Sequence, residues 1–129
     1  MIRSSAFNYV DVLNKAADAS WTRNEVIGNN IANVDTPGYK RKDVHFDSYL
    51  LSEIARNGNS NNGISQARLN SLNPTIYTDN SALSYRLDGN NVNIDTESSN
   101  LAQNQIRYYT LIDSMTQEFN RIKTVLNAK

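Results

Sequence analysis

Cysteine is absent from this 129-residue chain, and histidine occurs once, at His45. The first absence excludes disulfides, thiol catalysis and cysteine-based zinc sites. The second leaves little for acid–base or metal chemistry. Proline occurs twice and glycine five times, so long helices meet few breakers. Lys plus Arg number 13 and Asp plus Glu number 13. That balance lacks the basic excess of a nucleic-acid binder and the polybasic attraction to anionic membranes. No apolar run approaches the ~18 residues of a membrane span. Residues 1–11 carry neither an apolar h-region nor a small-residue cleavage site, so no cleavable secretory signal is expected. Core-forming residues are scarce: Leu, Ile, Val and Phe total 30, against 20 Asn and 13 Ser. Such a composition supports a modest core only.

What is present falls into three zones: residues 1–34, 35–94 and 95–129. In the first, Val10, Leu13, Ala17, Ser20, Asn24, Ile27 and Ile31 alternate steps of three and four, which is a helical stripe. The helix predicted over about Phe7–Asn33 should stop at Asp35-Thr36-Pro37-Gly38. Pro37 turns Thr36 away from helix, and Pro-Gly fits the centre of a type II turn. In the last zone Leu101, Asn104, Tyr108, Leu111, Met115, Glu118, Ile122 and Val125 repeat the pattern, and Ile112, Phe119 and Leu126 widen it. A helix of ~30 residues is expected, with Asp95 as N-cap and Glu97 adding charge to its first turn.

The middle is poorer. Phe46, Leu50, Leu51 and Ile54 predict a short helix over about 46–56. Residues 57–73 are mostly Asn, Ser and Gly and read as a flexible loop. Residues 75–94 alternate in part around Asp88-Gly89 and read as a hairpin or short extended pieces. The apolar residues here are too scattered for a core of their own.

Candidate chemistry is thin. The run Asp88 to Asp95 resembles a calcium loop, but Val92, Asn93 and Ser99 stand where an EF-hand needs an oxygen ligand, glycine and glutamate. His45 beside Asp43 and Asp47 lacks a second histidine or a nucleophile elbow. Lys40-Arg41-Lys42 reads as a solvated face. The glycines match no phosphate-cradling spacing. No catalytic residue, cofactor site or metal site is expected.

The two stripes are the informative feature. Set antiparallel, they bring Ile31 level with Glu97, Ile27 with Leu101, Asn24 with Asn104, Ser20 with Tyr108, Ala17 with Leu111 and Leu13 with Met115. Small residues meet large ones, and the two Asn side chains fall at one level where they could fix register. The fold class expected is therefore mainly α: a coiled-coil-like antiparallel pair with a small, loop-rich, partly extended middle. One partner helix cannot cover Ile112, Phe119, Ile122, Val125 and Leu126, so further contacts are expected there.

The segment Asn30-Ile31-Ala32-Asn33, followed by Thr36-Pro37-Gly38-Tyr39-Lys40, resembles the signature of the bacterial flagellar axial family of rod and hook subunits. Asp88-Gly89-Asn90 with Asn104-Gln105-Ile106-Arg107-Tyr108 narrows the resemblance to the proximal rod, where a sister subunit is the alternative. The likeness spans both ends and fades over residues 57–75. It implies a polymerising structural subunit of a hollow drive shaft that crosses the periplasm. Other copies, other rod subunits, the rod adaptor, the inner-membrane ring and the export apparatus are the implied partners. Export without signal cleavage is implied, with no nucleic acid and no membrane insertion. Two other classes compete with it: a coiled-coil adaptor holding one partner, and a small hydrolase using His45 with Asp43 or Asp47.

Overall fold

The computed structural model describes residues 5–57, 66–81 and 86–128. Two long helices dominate. Helix α1 spans Ser5–Ala32 and the last helix, α4, spans Ile94–Asn127. At 34 residues α4 is about 51 Å long. The pair is antiparallel: Asn30 meets Glu97, Asn24 meets Asn104, and the Trp21 and Tyr108 rings pack at a tilt with centroids 5.8 Å apart. Between them lie β1 (Lys42–His45), α2 (Asp47–Asn57), α3 (Gln66–Ser71) and β2 (Thr75–Thr78).

Asn93, not Asp95, caps α4. Its side-chain oxygen accepts from the N–H groups of Asp95 (3.0 Å) and Thr96 (3.2 Å). Asp95 and Glu97 instead place negative charge in the first turn, where the helix dipole favours it. The Pro37-Gly38 turn forms as the sequence dictates. Gly38 takes φ +72°, and Tyr39 N–H closes on the Thr36 carbonyl at 3.2 Å.

The middle departs from its sequence reading in three places. The strand Thr75–Thr78 pairs not within 75–94 but with Lys42–His45, in the register Lys42↔Thr78 to His45↔Thr75. Charged neighbours hid β1, whose one inward residue is Val44. Within the expected loop 57–73, residues 66–71 are helical, because Leu69 and Leu72 plug into the core at 1% and 5% exposure; residues 58–65 lie outside the described set. Finally, α2 does form, but Leu51 and Ile54 point outward, and the buried anchor is Phe46 just before it.

These anchors find a core because α1 has a second stripe. Val12, Ala16, Ala19, Arg23, Val26 and Asn30 also alternate four and three. Ala19 and Val26 pack with Val44, Phe46, Leu69 and Leu72. One helix thus buries two faces: α4 against the first, the middle segment against the second.

Candidate functional site

Two places concentrate the structure's unusual features: a polar joint where α1 ends and α4 begins, and an open apolar face where α4 ends.

The joint is built on Asn30, which is fully buried. Its Nδ2 donates to the Lys42 carbonyl (2.8 Å) and Glu97 Oε2 (3.1 Å). Its Oδ1 accepts from Lys42 N–H (2.9 Å) and the Tyr39 hydroxyl (3.1 Å). The side chain thereby stands in for a third strand along β1. Glu97, also buried, accepts from Arg41 Nε at 2.6 Å. Arg41 further donates to Asp79 and, at 3.2 Å, to Asp43. Burial works against the Arg41 charge, but Glu97, then Asp79 and Asp43, raise its pKa above the ordinary value. Two hydrogen bonds from Ser81, aided by Arg41, hold the Asp79 carboxyl below its ordinary value against burial. Tyr39 is raised by burial and by Glu97.

Two asparagines complete the joint. Asn90 Nδ2 donates to the carbonyls of Asn33, Val34 and Thr36 at 2.9, 3.0 and 2.9 Å. All three lie in the turn just past Ala32, where α1 ends, so Asn90 pins the chain as it leaves the helix. Asn91 bridges Arg41 N–H and the Asp79 carbonyl, both at 2.7 Å, and so extends the β1–β2 ladder. Gly89, at φ +78°, lets its turn lie on Gly38: an added Cβ there would sit 3.8 Å from Gly38 Cα. Of the motif residues, Asn30 is therefore buried, Ile31, Asn33 and Tyr39 are half-buried, and Ala32, Thr36, Pro37 and Gly38 are exposed.

Along the seam, Leu13, Ala17 and Ile27 are buried, and Leu101, Tyr108, Leu111, Met115 and Ile122 are half-buried. At mid-height Asn104 Nδ2 donates to Asn24 Oδ1 (2.8 Å) and to the Ser20 carbonyl (2.7 Å), the level at which the stripes set the two amides. Asn104 Oδ1 is buried without a partner among the described residues. A lone buried acceptor costs ~1–3 kcal/mol, so the pair selects register at the expense of stability. Past that level the seam continues, with Glu118 buried and Met115 and Ile122 half-buried, but the flanking apolar face of α4 is open. Phe119, Val125 and Leu126 are 53%, 67% and 73% exposed, and Ile112 is 38% exposed.

His45 stacks on Tyr77, with ring centroids 3.9 Å apart and planes at 12°. Among the described residues no hydrogen bond joins it to Asp43 or Asp47. Those carboxylates serve arginines: Arg41 and Arg23 at Asp43, Arg107 and Arg23 at Asp47. Among the described residues no cluster of three or more metal-binding side chains forms, and no helix is long and apolar enough to cross a membrane. Arg41 corrects the reading of residues 40–42 as a solvated face. Its part, with those of Glu97, Asp79 and Asn91, was not visible in one dimension. The only signal was the Asp88-Gly89-Asn90-Asn91 run, and it named the place without the bonds.

Residues 12–40 match the family model described as flagella basal body rod protein. The chain is 39% identical over 116 residues to the flagellar basal body rod protein FlgB of Bacillus subtilis, covering 88% of this chain and 89% of that protein. It is 34% identical over 128 residues to FlgB of Borrelia hermsii (91% and 94% covered) and 28% identical over 115 residues to FlgB of Escherichia coli (82% and 83% covered). Those matches run through both helices, the joint and the middle, and they favour FlgB over the sister proximal-rod subunit. The chain belongs to the FlgB family of flagellar basal body rod proteins and is a structural subunit of the rod, not an enzyme.

Proposed function

We propose that this subunit polymerises through the open apolar face of α4 into a hollow, periplasmic drive shaft, with copies of itself and other rod subunits as lateral and axial neighbours. The observation that carries this reading is the apolar face that α4 leaves open beside its own seam: Glu97, Asn104 and Glu118 are buried, whereas Ile106, Phe119, Val125 and Leu126 are exposed. Fully burying one such side chain contributes ~1.5–3 kcal/mol, so four left open represent a large unused drive to associate. Leu13, Ala17, Asn24, Ile27 and Ile31 with Leu101, Asn104, Tyr108, Leu111 and Met115 form the subunit's own seam. Phe119, Ile122, Val125 and Leu126 take part in assembly. The pair is the wall of the channel, and the middle segment lies outside it.

The rod adaptor and inner-membrane ring are the proposed contacts at the proximal end. The chain reaches its place through the flagellar export apparatus, unfolded and without signal cleavage. A cysteine-free chain suits that route, since no thiol needs protection on the way to oxidising space. An Ile122→Asp variant sets an unpaired charge on the seam beside that face. It should be made and exported normally, yet give no rods and no swimming. Swimming cells with intact rods would contradict the reading. The adaptor alternative predicts saturable one-to-one binding, and concentration-dependent self-association excludes it.

A further inference from the structure

The two-stranded sheet has two edges, and they end differently. Along β1, Asn30 takes both the N–H and the carbonyl of Lys42, and Arg23 donates to the Val44 carbonyl at 3.1 Å. Side chains of α1 thus close that edge. Lys42 and Val44 turn their carbonyls toward α1, while Arg41 faces β2 and accepts from Asp79 N–H at 2.9 Å. Antiparallel pairing carries the same alternation across to β2. Tyr77 and Asp79 turn their backbone groups to β1. Ile76 and Thr78, opposite Val44 and Lys42, turn theirs away. Among the described residues, nothing bonds those two N–H groups and two carbonyls.

The side chains repeat the asymmetry. Ile76 lies on the same face of the sheet as Val44, the face that meets the core. Val44 is 4% exposed and Ile76 is 52% exposed, so cover stops at the outer strand. The segment Thr75–Thr78 carries neither charge nor proline, two devices that blunt an edge. Asp43 and Asp79, its charged neighbours on the other face, are already held by Arg41. On that face His45 stacks on Tyr77 and ties the strands together.

Two donors and two acceptors on alternate residues, about 7 Å apart, match one ligand chemistry: the backbone of an extended peptide. We propose that β2 receives a third strand from a different rod subunit, an uncharged extended segment with a β-branched or aromatic side chain set against Ile76. A second copy's β2 fits the rod less well. Antiparallel pairing of two identical edges is isologous and closes as a dimer, which ends growth. The inference rests on the rod reading and adds to it a binding mode outside the helix pair.

Hydrogen exchange read residue by residue, on the full chain free and in isolated rods, tests the added strand. In the free subunit the amides of Tyr77 and Asp79 should exchange slowly and those of Ile76 and Thr78 fast. In rods all four should be slow, with Ile76 and Thr78 slowed at least tenfold. Ile76 and Thr78 amides already slow in the dilute free subunit, or still fast in rods, would overturn the proposal. So would slowing that follows the concentration of the free subunit, since two copies would then be pairing. Thr78→Pro deletes one outward N–H and leaves the bonds to β1 whole, and an edge strand accepts proline there. Ile76→Lys keeps the backbone and sets a charge on the edge. Both should melt like the wild type yet give at least tenfold fewer rods, and normal rod numbers from both would count against the contact. The rod reading fails separately: cells lacking the chain would then still build rods, whatever the β2 amides do.

Discussion

The two ends of the helix pair solve opposite problems. At the joint, polar groups from α1, β1, β2 and the start of α4 find partners within one subunit, and Asn30, Asn90 and Glu97 are almost wholly buried. At the far end, Phe119, Val125 and Leu126 of α4 find little cover among the described residues, and Leu126 remains 73% exposed. Directional bonds fix one geometry, whereas apolar contact is non-directional and waits for any surface of the right shape. The joint therefore sets the angle between helices and middle segment before assembly, and the open end supplies the drive to assemble. Damage to the first should appear in the free subunit, and damage to the second only in the polymer.

The largest expected effect lies in the joint. Glu97→Ala removes the buried partner of Arg41 and one acceptor of Asn30, and breaking such a pair costs ~3–5 kcal/mol. Urea unfolding of the free subunit should show a markedly lower midpoint, while Phe119→Ser should leave the midpoint almost unchanged and abolish assembly. Next comes Asn90→Ala, which removes the shared donor of three carbonyls in the turn after α1. A loss of ~1–3 kcal/mol in the same assay is expected.

Acid should act through the joint as well. Because Ser81 and Arg41 depress the folded-state pKa of Asp79, its contribution is complete above the ordinary aspartate value. It is lost as pH falls through the lower folded value. Stability measured from pH 6 downward should fall below about pH 4, and Asp79→Asn should flatten that limb. The opposite slope would remove Asp79 from the account.

A smaller effect, of opposite sign, is expected on the seam. Replacing Asn24 and Asn104 together with Leu removes an unsatisfied buried oxygen and should raise the melting temperature while loosening helix register. The smallest concerns Gly28, exposed in mid-helix with nothing within 4 Å of an added Cβ. Gly28→Ala should stabilise the free subunit by ~0.5–1 kcal/mol in chemical unfolding.

Legibility in the sequence followed the same division. The seam could be read because helical stripes repeat: Asn24 and Asn104 were placed at one level by counting alone. The second stripe of α1 escaped because Arg23 and Asn30 interrupt its apolar run. The joint escaped for a deeper reason. Arg41, Asp79 and Glu97 are distant in the chain, and each alone looks like an ordinary surface charge. Strand β1 was hidden likewise, since three of its four residues are Lys, Asp and His and only Val44 turns inward. The motif residues marked where the joint lies, but its bonds exist only once the chain has folded back on itself.

Hydrogen exchange, compared between the free subunit and isolated rods, tests the central contrast most directly. The account predicts that amides of Asn90, Val92 and Lys42 are protected in both states. Those of Phe119 to Leu126 should exchange quickly in the free subunit and slowly in the rod. Joint amides that become protected only in rods, or an α4 end already protected in the free subunit, would contradict it.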